Sequence, residues 1–167
     1  MRTYSLDCEL LTSRPIDEVF AIFEDPYNLI RITPEWLNLK VTNTTPVTMR
    51  AGAEITYRIR WAGLPVGWKT LITQYAPPHL FVDEQVQGPY SLWRHRHTFV
   101  QLPGGVQVAD HVDYALPLGW LGRAAHWTLI EEQLKAIFQY RQAALANMLG
   151  GSTQAVKDPV ISAGQAY

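Results

Sequence analysis

The sequence has little cysteine to work with: Cys8 is the only one among 167 residues. That excludes an internal disulfide and a thiolate-built metal site, and it makes a reducing compartment the default expectation. Long apolar runs are missing too. No stretch of about 18 successive apolar residues occurs, and the opening "MRTYSLDCELL" lacks the apolar core of about 7–15 residues that marks a signal peptide. The expectation is a soluble, cytoplasmic protein with no stable membrane insertion. Charge is also scarce, at 17% of residues, against about 25% in typical domains. Fourteen Lys and Arg against fifteen Asp and Glu leave a formal net charge of −1. A chain this close to neutral has no electrostatic basis for binding nucleic acid.

Apolar surface is abundant. Hydrophobic residues make up 47% of the sequence, with six Trp and eight Tyr. A chain of this length suits one domain, and folding buries roughly 68–70% of its unfolded surface, enough for a core and an internal cavity. The composition argues against disorder.

Period then sorts the chain into elements. "TYSLDCELL" alternates Tyr4, Leu6, Cys8 and Leu10 against Thr3, Ser5, Asp7 and Glu9, as a half-buried strand does. "SRPIDEVFAIFED" reads as a short helix, with Ser13 as cap, Pro15 near the first helical position, and Asp17 and Glu18 in the first turn. "YNLIRITPEW" reads as a second short helix ending near Thr33-Pro34. From about Leu39 to Ala115 the period is two, broken by "AGLP", "APPH", "GPY" and "PGG", which describes six strands in an antiparallel meander. After "LPLGWLG", Trp127, Ile130, Leu134, Ile137, Phe138, Leu145 and Met148 recur at helical spacing, and Gly150-Gly151 ends the helix. The expected organisation is one domain over residues 1–150 and a C-terminal tail over 151–167. Its class is α+β: a seven-stranded curved antiparallel sheet around one long C-terminal helix, with two short helices after the first strand. Such a sheet leaves a space between itself and the helix.

The stretch "DEQVQGPYSLWRHRHTF" carries polar residues where a buried strand face calls for apolar ones. Alternation puts Trp93, His95, His97 and Phe99 on one face and Leu92, Arg94, Arg96 and Val100 on the other. Two arginines are costly to bury unpaired, so their face belongs outside and the histidines inside. By the same reasoning Phe81, Asp83 and Gln85 of the preceding strand, and Asp110, Val112 and Tyr114 of the following one, point inward. Buried polar groups need partners, so cross-strand His–Asp or His–Gln pairs are required there. Arg58, Arg60, Arg94 and Arg96, interspersed with Glu54, Glu84 and Asp113, read as a solvated outer face.

The order of elements, together with "FEDPYNLIRITPEWL", "GPYSLWRHRHTF", "ADHVDYALPLGWLG" and "IFQYRQ", resembles the START-like (SRPBCC, Bet v 1-like) superfamily of helix-grip proteins. The likeness runs over roughly Thr3 to Met148 and is to the bacterial cyclase/dehydrase branch that binds ligands. It implies a hydrophobic cavity between sheet and long helix; the ligand expected there is lipid-like or otherwise small and hydrophobic or amphipathic, and no cofactor is expected. It does not bring a single set of catalytic residues with it.

Two classes of function follow. The first is a carrier or sensor, its ligand contacted by Tyr57, Trp61, Trp68, Asp83, Gln85, Trp93, His95, His97, Asp110 and Tyr114. The second is a polyketide cyclase/dehydrase-type enzyme, with His95, His97 and Asp110 as acid–base candidates because an imidazole paired with a carboxylate titrates near neutrality. His-x-His with flanking carboxylates also has the makings of a Zn²⁺ or Fe²⁺ site, but the pattern is common on strands and no metal is expected. Cys8 reads as a small buried residue, Trp36 and Trp120 as part of a cavity mouth or of the core, and "LPLGWLG" as a gate to the cavity or a tight connector.

Overall fold

The computed structural model describes residues 2–61, 63–117 and 129–163. Trp120, Trp127 and most of "LPLGWLG" lie outside the described residues. Strand β1 (Tyr4–Thr12) leads into helix α1 (Ile16–Glu24) and the single turn α2 (Asn28–Arg31). A 3₁₀ turn (Glu35–Leu37) follows. The meander then comprises β2 (Lys40–Val41), β3 (Glu54–Trp61), β4 (Leu64–Ala76), β5 (Leu80–Gln87), β6 (Leu92–Leu102) and β7 (Gly105–Ala115). Helix α3 (Glu131–Leu149) and a last strand, β8 (Gln154–Ala163), complete the chain.

All eight strands form one sheet in the order β2-β3-β4-β5-β6-β7-β1-β8. The expected count of seven is therefore one short. Residues 154–163, read as tail, pair antiparallel with the free edge of β1, Tyr4 opposite Ala163 and Leu11 opposite Gln154. The strand escapes a periodicity reading because only Pro159 within it is buried, while Val156 and Val160 are exposed. It is held by backbone bonds and contributes little apolar face, so its sequence carries almost no alternation.

The helix starts and stops follow local chemistry. Asp17 and Glu18 occupy the first turn of α1, while Val19, Phe20 and Phe23 are its buried side. Ser13 makes no capping bond; Pro15 occupies the cap position itself, and the Val19 amide donates to its carbonyl. Helix α3 ends at Gly150, whose φ of 61° belongs to the left-handed region that glycine enters without strain.

Two apolar clusters line the space under α3. One joins Phe20 and Phe23 of α1 to Phe81, Phe99, Val108, Leu145 and their neighbours. The other joins Tyr4, Leu6, Trp68, Tyr90, Tyr114, Leu134 and Phe138. Asp83 of β5, His95 and His97 of β6 and Asp110 of β7 lie on the inner face of the sheet that both clusters share.

Candidate functional site: a cavity with a histidine–aspartate wall

A cavity of about 150 Å³ lies between the inner face of the sheet and α3. Leu29, Ile32, Thr33 and Leu37, from α2 and the turns after it, close one side. Ile55, Tyr57, Ile59 and Trp61 of β3 and Trp68, Thr70 and Ile72 of β4 form the apolar wall. Tyr90 and Trp93 continue it, and Leu134, Ile137, Phe138 and Arg141 of α3 face it. A void of this size accommodates a body about as large as benzene.

The aromatic wall is braced internally. Tyr57 stacks on Trp68, with ring centroids 5.8 Å apart, and Trp93 meets Trp68 edge-on at 5.4 Å. The Thr70 hydroxyl serves both aromatic heteroatoms: the indole N–H of Trp68 donates to it at 3.0 Å, and the Tyr57 hydroxyl lies 2.8 Å away. Burial pushes the Tyr57 hydroxyl far above its ordinary pKa, so it stays a neutral hydrogen-bonding group.

The polar wall is built by register. Asp83 stands opposite His95 across β5–β6, and His97 opposite Asp110 across β6–β7. Side chains of the same face then meet in a four-membered cluster. His95 Nε2 lies 3.0 Å from Asp110 Oδ1, and His97 Nε2 lies 3.2 Å from Asp83 Oδ2. The crossed contacts are His97 Nδ1 to Asp110 Oδ1 at 2.7 Å and His95 Nδ1 to Asp83 Oδ2 at 3.6 Å. The 2.7 Å contact is angled away from a linear hydrogen bond, so it acts chiefly as a close charge contact. The two imidazoles lie 3.8 Å apart, His97 stacks on Phe81, and Phe138 of α3 meets His95 edge-on. These rings hold the imidazoles in place.

Burial and mutual charge divide the cluster's protons. Burial and the neighbouring charge of His97 lower the His95 pKa to about 4, against the pull of Asp110 and Asp83. His97 is also penalised by burial, yet the two carboxylates together raise its pKa above the ordinary value. Burial disfavours charge on Asp83 and Asp110 as well, but the imidazoles outweigh it and hold both carboxyl groups below their usual range, Asp110 well below. Two neighbouring histidines of one strand are thus driven apart, one neutral and one inclined to hold its proton. Asp83, His95 and His97 each offer a ligand atom within 4.8 Å of the others, a spacing that could receive a divalent ion.

Of the ten residues singled out from sequence, Tyr57, Trp61, Trp68, Asp83, Trp93, His95 and His97 line the cavity. Three do not. Gln85 turns aside to clamp the β5–β6 connection, donating to the Tyr90 carbonyl at 2.6 Å and accepting from the Tyr90 amide at 3.2 Å. Asp110 lies behind the imidazoles, where the Cys8 thiol, 3.8 Å away, also points to it. Tyr114 is fully buried and stacks on Tyr4. Cys8 is buried as expected, and burial raises its thiol pKa far above the ordinary value. Trp36, at 47% exposed, belongs neither to the core nor to the lining. The outer face carries mixed charge as expected, with Arg94 paired to Glu84 at 3.3 Å and Lys69 to Glu54 at 2.8 Å.

Sequence reasoning missed Tyr90, Thr70 and Arg141. Tyr90 follows a "GP" turn and Thr70 is an ordinary strand residue, so neither advertises itself. Arg141 did leave a signal. In the helical period Leu134, Phe138, Leu145, the position between Phe138 and Leu145 is filled by Arg141-Gln142, polar residues where apolar ones are due.

Comparison with known proteins adds a family and a fold. The family described as "Polyketide cyclase / dehydrase and lipid transport" matches residues 12–138. The sequence matches no curated protein. Among solved structures, protein CV1439 from Chromobacterium violaceum is similar at 15% identity and a TM-score of 0.68, over 89% of this chain and 98% of that one. Ginseng major latex-like protein 151 from Panax ginseng is 12% identical with a TM-score of 0.66, over 90% and 100% of the two chains. TTHA0849 from Thermus thermophilus is 15% identical with a TM-score of 0.65, over 87% and 99%. At these identities the likeness is one of fold: an antiparallel sheet gripping a long C-terminal helix. No helix of the described residues is long and apolar enough to cross a membrane.

Proposed function

The chain belongs to the polyketide cyclase/dehydrase and lipid transport family, and from that premise we propose that it is a cytoplasmic carrier or sensor of a small hydrophobic or amphipathic molecule held in the cavity. The observation that carries this reading is the lining itself: a mostly aromatic and aliphatic wall interrupted by one buried polar cluster. Affinity comes from burying the ligand's apolar surface against Tyr57, Trp61, Trp68 and Trp93, at roughly 25 cal/mol per Å². Orientation comes from Asp83, His95 and His97 at the wall. Asp110 acts one step removed, by fixing the imidazoles, and Gln85 and Tyr114 support the wall from outside the lining.

A second reading, a cyclase/dehydrase-type enzyme, is favoured by the opposed protonation tendencies of His95 and His97 beside the same cavity. Ring closure or dehydration of a poly-β-ketone needs proton transfers and a hydrogen-bond donor for the developing oxyanion, and a neutral and a proton-holding imidazole are suited to those roles.

The test is an untargeted mass-spectrometric search for small molecules that co-purify with the native protein, followed by the same search on His95→Asn and His97→Gln. A carrier returns a bound molecule that the variants lose or exchange. An enzyme retains binding in the variants and loses about 10²–10⁴-fold in turnover of that molecule. Recovery of nothing above background from the native protein counts against both.

A further inference from the structure

We propose that Arg141 anchors a carboxylate, so that the molecule held in the cavity is a small monoanionic amphipath: one ring or a short chain ending in –COO⁻. The inference rests on the cavity-binding reading and specifies what the ligand must carry.

Arg141 and Gln142 are adjacent polar residues on the buried side of α3, and their fates differ. Gln142 is fully used. Its side-chain amide donates to the Glu9 carbonyl at 3.0 Å and to the Lys157 carbonyl at 2.9 Å, beside the irregularity in the β1–β8 ladder. It therefore ties the helix to two strands. Arg141 is equally buried, at 9% exposed, and lines the cavity, yet it takes part in no hydrogen bond or ion pair among the described residues. Its Nε is enclosed with no partner. The guanidinium lies over the Phe138 ring, 4.7 Å from the centroid, which places it without supplying an acceptor.

A guanidinium presents five N–H donors in a planar fork, and leaving such a group enclosed and unpaired is costly. Asp83, the acid of the cavity wall, shares a through-space charge interaction with Arg141 but makes no ion pair with it; its Oδ2 faces His97 and His95 instead. A ligand carboxylate fits the fork bidentately. A single negative charge suits the site, since Asp83 faces it from the cavity wall with Asp110 behind the imidazoles, and a second charge would meet their repulsion. The volume sets the remainder of the molecule, because about 150 Å³ encloses roughly a benzene-sized body. Thr33 Oγ1, another enclosed lining atom without a partner, offers one further polar contact.

The experiment is calorimetric titration of the full chain at about pH 7.5 with benzoate and with its neutral counterpart benzyl alcohol, in the wild type and in Arg141→Met. Benzoate is expected to bind the wild type about 10- to 100-fold more tightly than benzyl alcohol. In Arg141→Met that preference disappears while benzyl alcohol still binds, and the melting temperature does not fall, because an unpaired buried charge has been replaced by a thioether of similar length. Equal affinity of the two probes for the wild type overturns the anchor and leaves cavity binding standing. Failure of both probes to bind overturns the cavity reading and the anchor with it. The wild-type comparison decides the matter even if the variant does not fold.

Discussion

The sheet carries two histidine–aspartate clusters, one on each face, and they behave as different materials. On the outside, His111 Nδ1 lies 2.7 Å from Asp7 and its Nε2 lies 3.3 Å from Asp113, with the histidine side chain 41% exposed. On the inside, His95 and His97 make contacts of 2.7 to 3.6 Å with Asp83 and Asp110, with their side chains 4% and 7% exposed. The distances are similar. Water is what differs. Outside, solvent and counterions can replace any partner that is lost, so pairing adds little. Inside, nothing can, so each group depends on the others and the pKa values of all four move. Only in the enclosed set do chemistry and geometry constrain each other, which is why the proposed ligand site is placed there.

The largest effect expected is from Asp110→Ala. That change removes the acceptor of His95, the close contact of His97 and the partner of the Cys8 thiol at once. Urea unfolding should show a loss of about 3–5 kcal/mol, the cost of breaking one side of a buried charged network. A loss below about 1 kcal/mol would mean that the interior cluster is no more interdependent than the surface one.

The next effect is on pH dependence. His95 binds its proton less readily in the folded chain than when unfolded, so acidification favours the unfolded state between pH 6.5 and about 4. A shift of this size is worth about 3 kcal/mol across that window. His97 has the opposite sign: its raised pKa contributes stability fully present below about pH 6.5 and lost as pH rises through its folded value. Asp83 and Asp110, both lowered, contribute stability that is lost only as pH falls below about 4. Unfolding free energies of the wild type and His95→Gln, measured from about pH 7 to about pH 4, should therefore diverge in slope within that window. Parallel curves would show that His95 does not titrate as an enclosed group.

The smallest effect is expected on the outside. Asp7→Asn, which weakens the His111 pair, should cost about 0.2–1 kcal/mol in the same unfolding assay, and less at high salt. A cost comparable to that of Asp110→Ala would erase the distinction between the faces.

Much of this arrangement was legible before the structure. The alternation of Trp93, His95, His97 and Phe99 against Arg94 and Arg96 correctly divides β6 into an inner and an outer face. The helical spacing of α3 and the turn residues of the meander are read with similar directness. Less legible were the places where a side chain leaves the role its face implies. Gln85 shares a face with Asp83 but folds back onto Tyr90, and Tyr114 shares a face with Asp110 but packs against β1. Arg141 broke the pattern of its helix visibly, but only the structure distinguishes it from Gln142.

By itself the sequence determined which face most residues of the meander and of α3 take, because facing follows from a two- or 3.6-residue period that is local to the chain. It also determined, through scarce charge and plentiful aromatics, that a polar group found inside would have to be held by partners. The tertiary structure alone decided which partners. His95 meets Asp110, 15 residues away, Gln142 reaches Glu9 across 133, and β8 finds the edge of β1 from the far end of the chain. Satisfaction of a buried polar group is a property of strand register and helix docking, and those are fixed only when distant segments pack. For that reason the largely buried Arg141, whose Nε is enclosed without an acceptor, becomes visible in three dimensions and not in one.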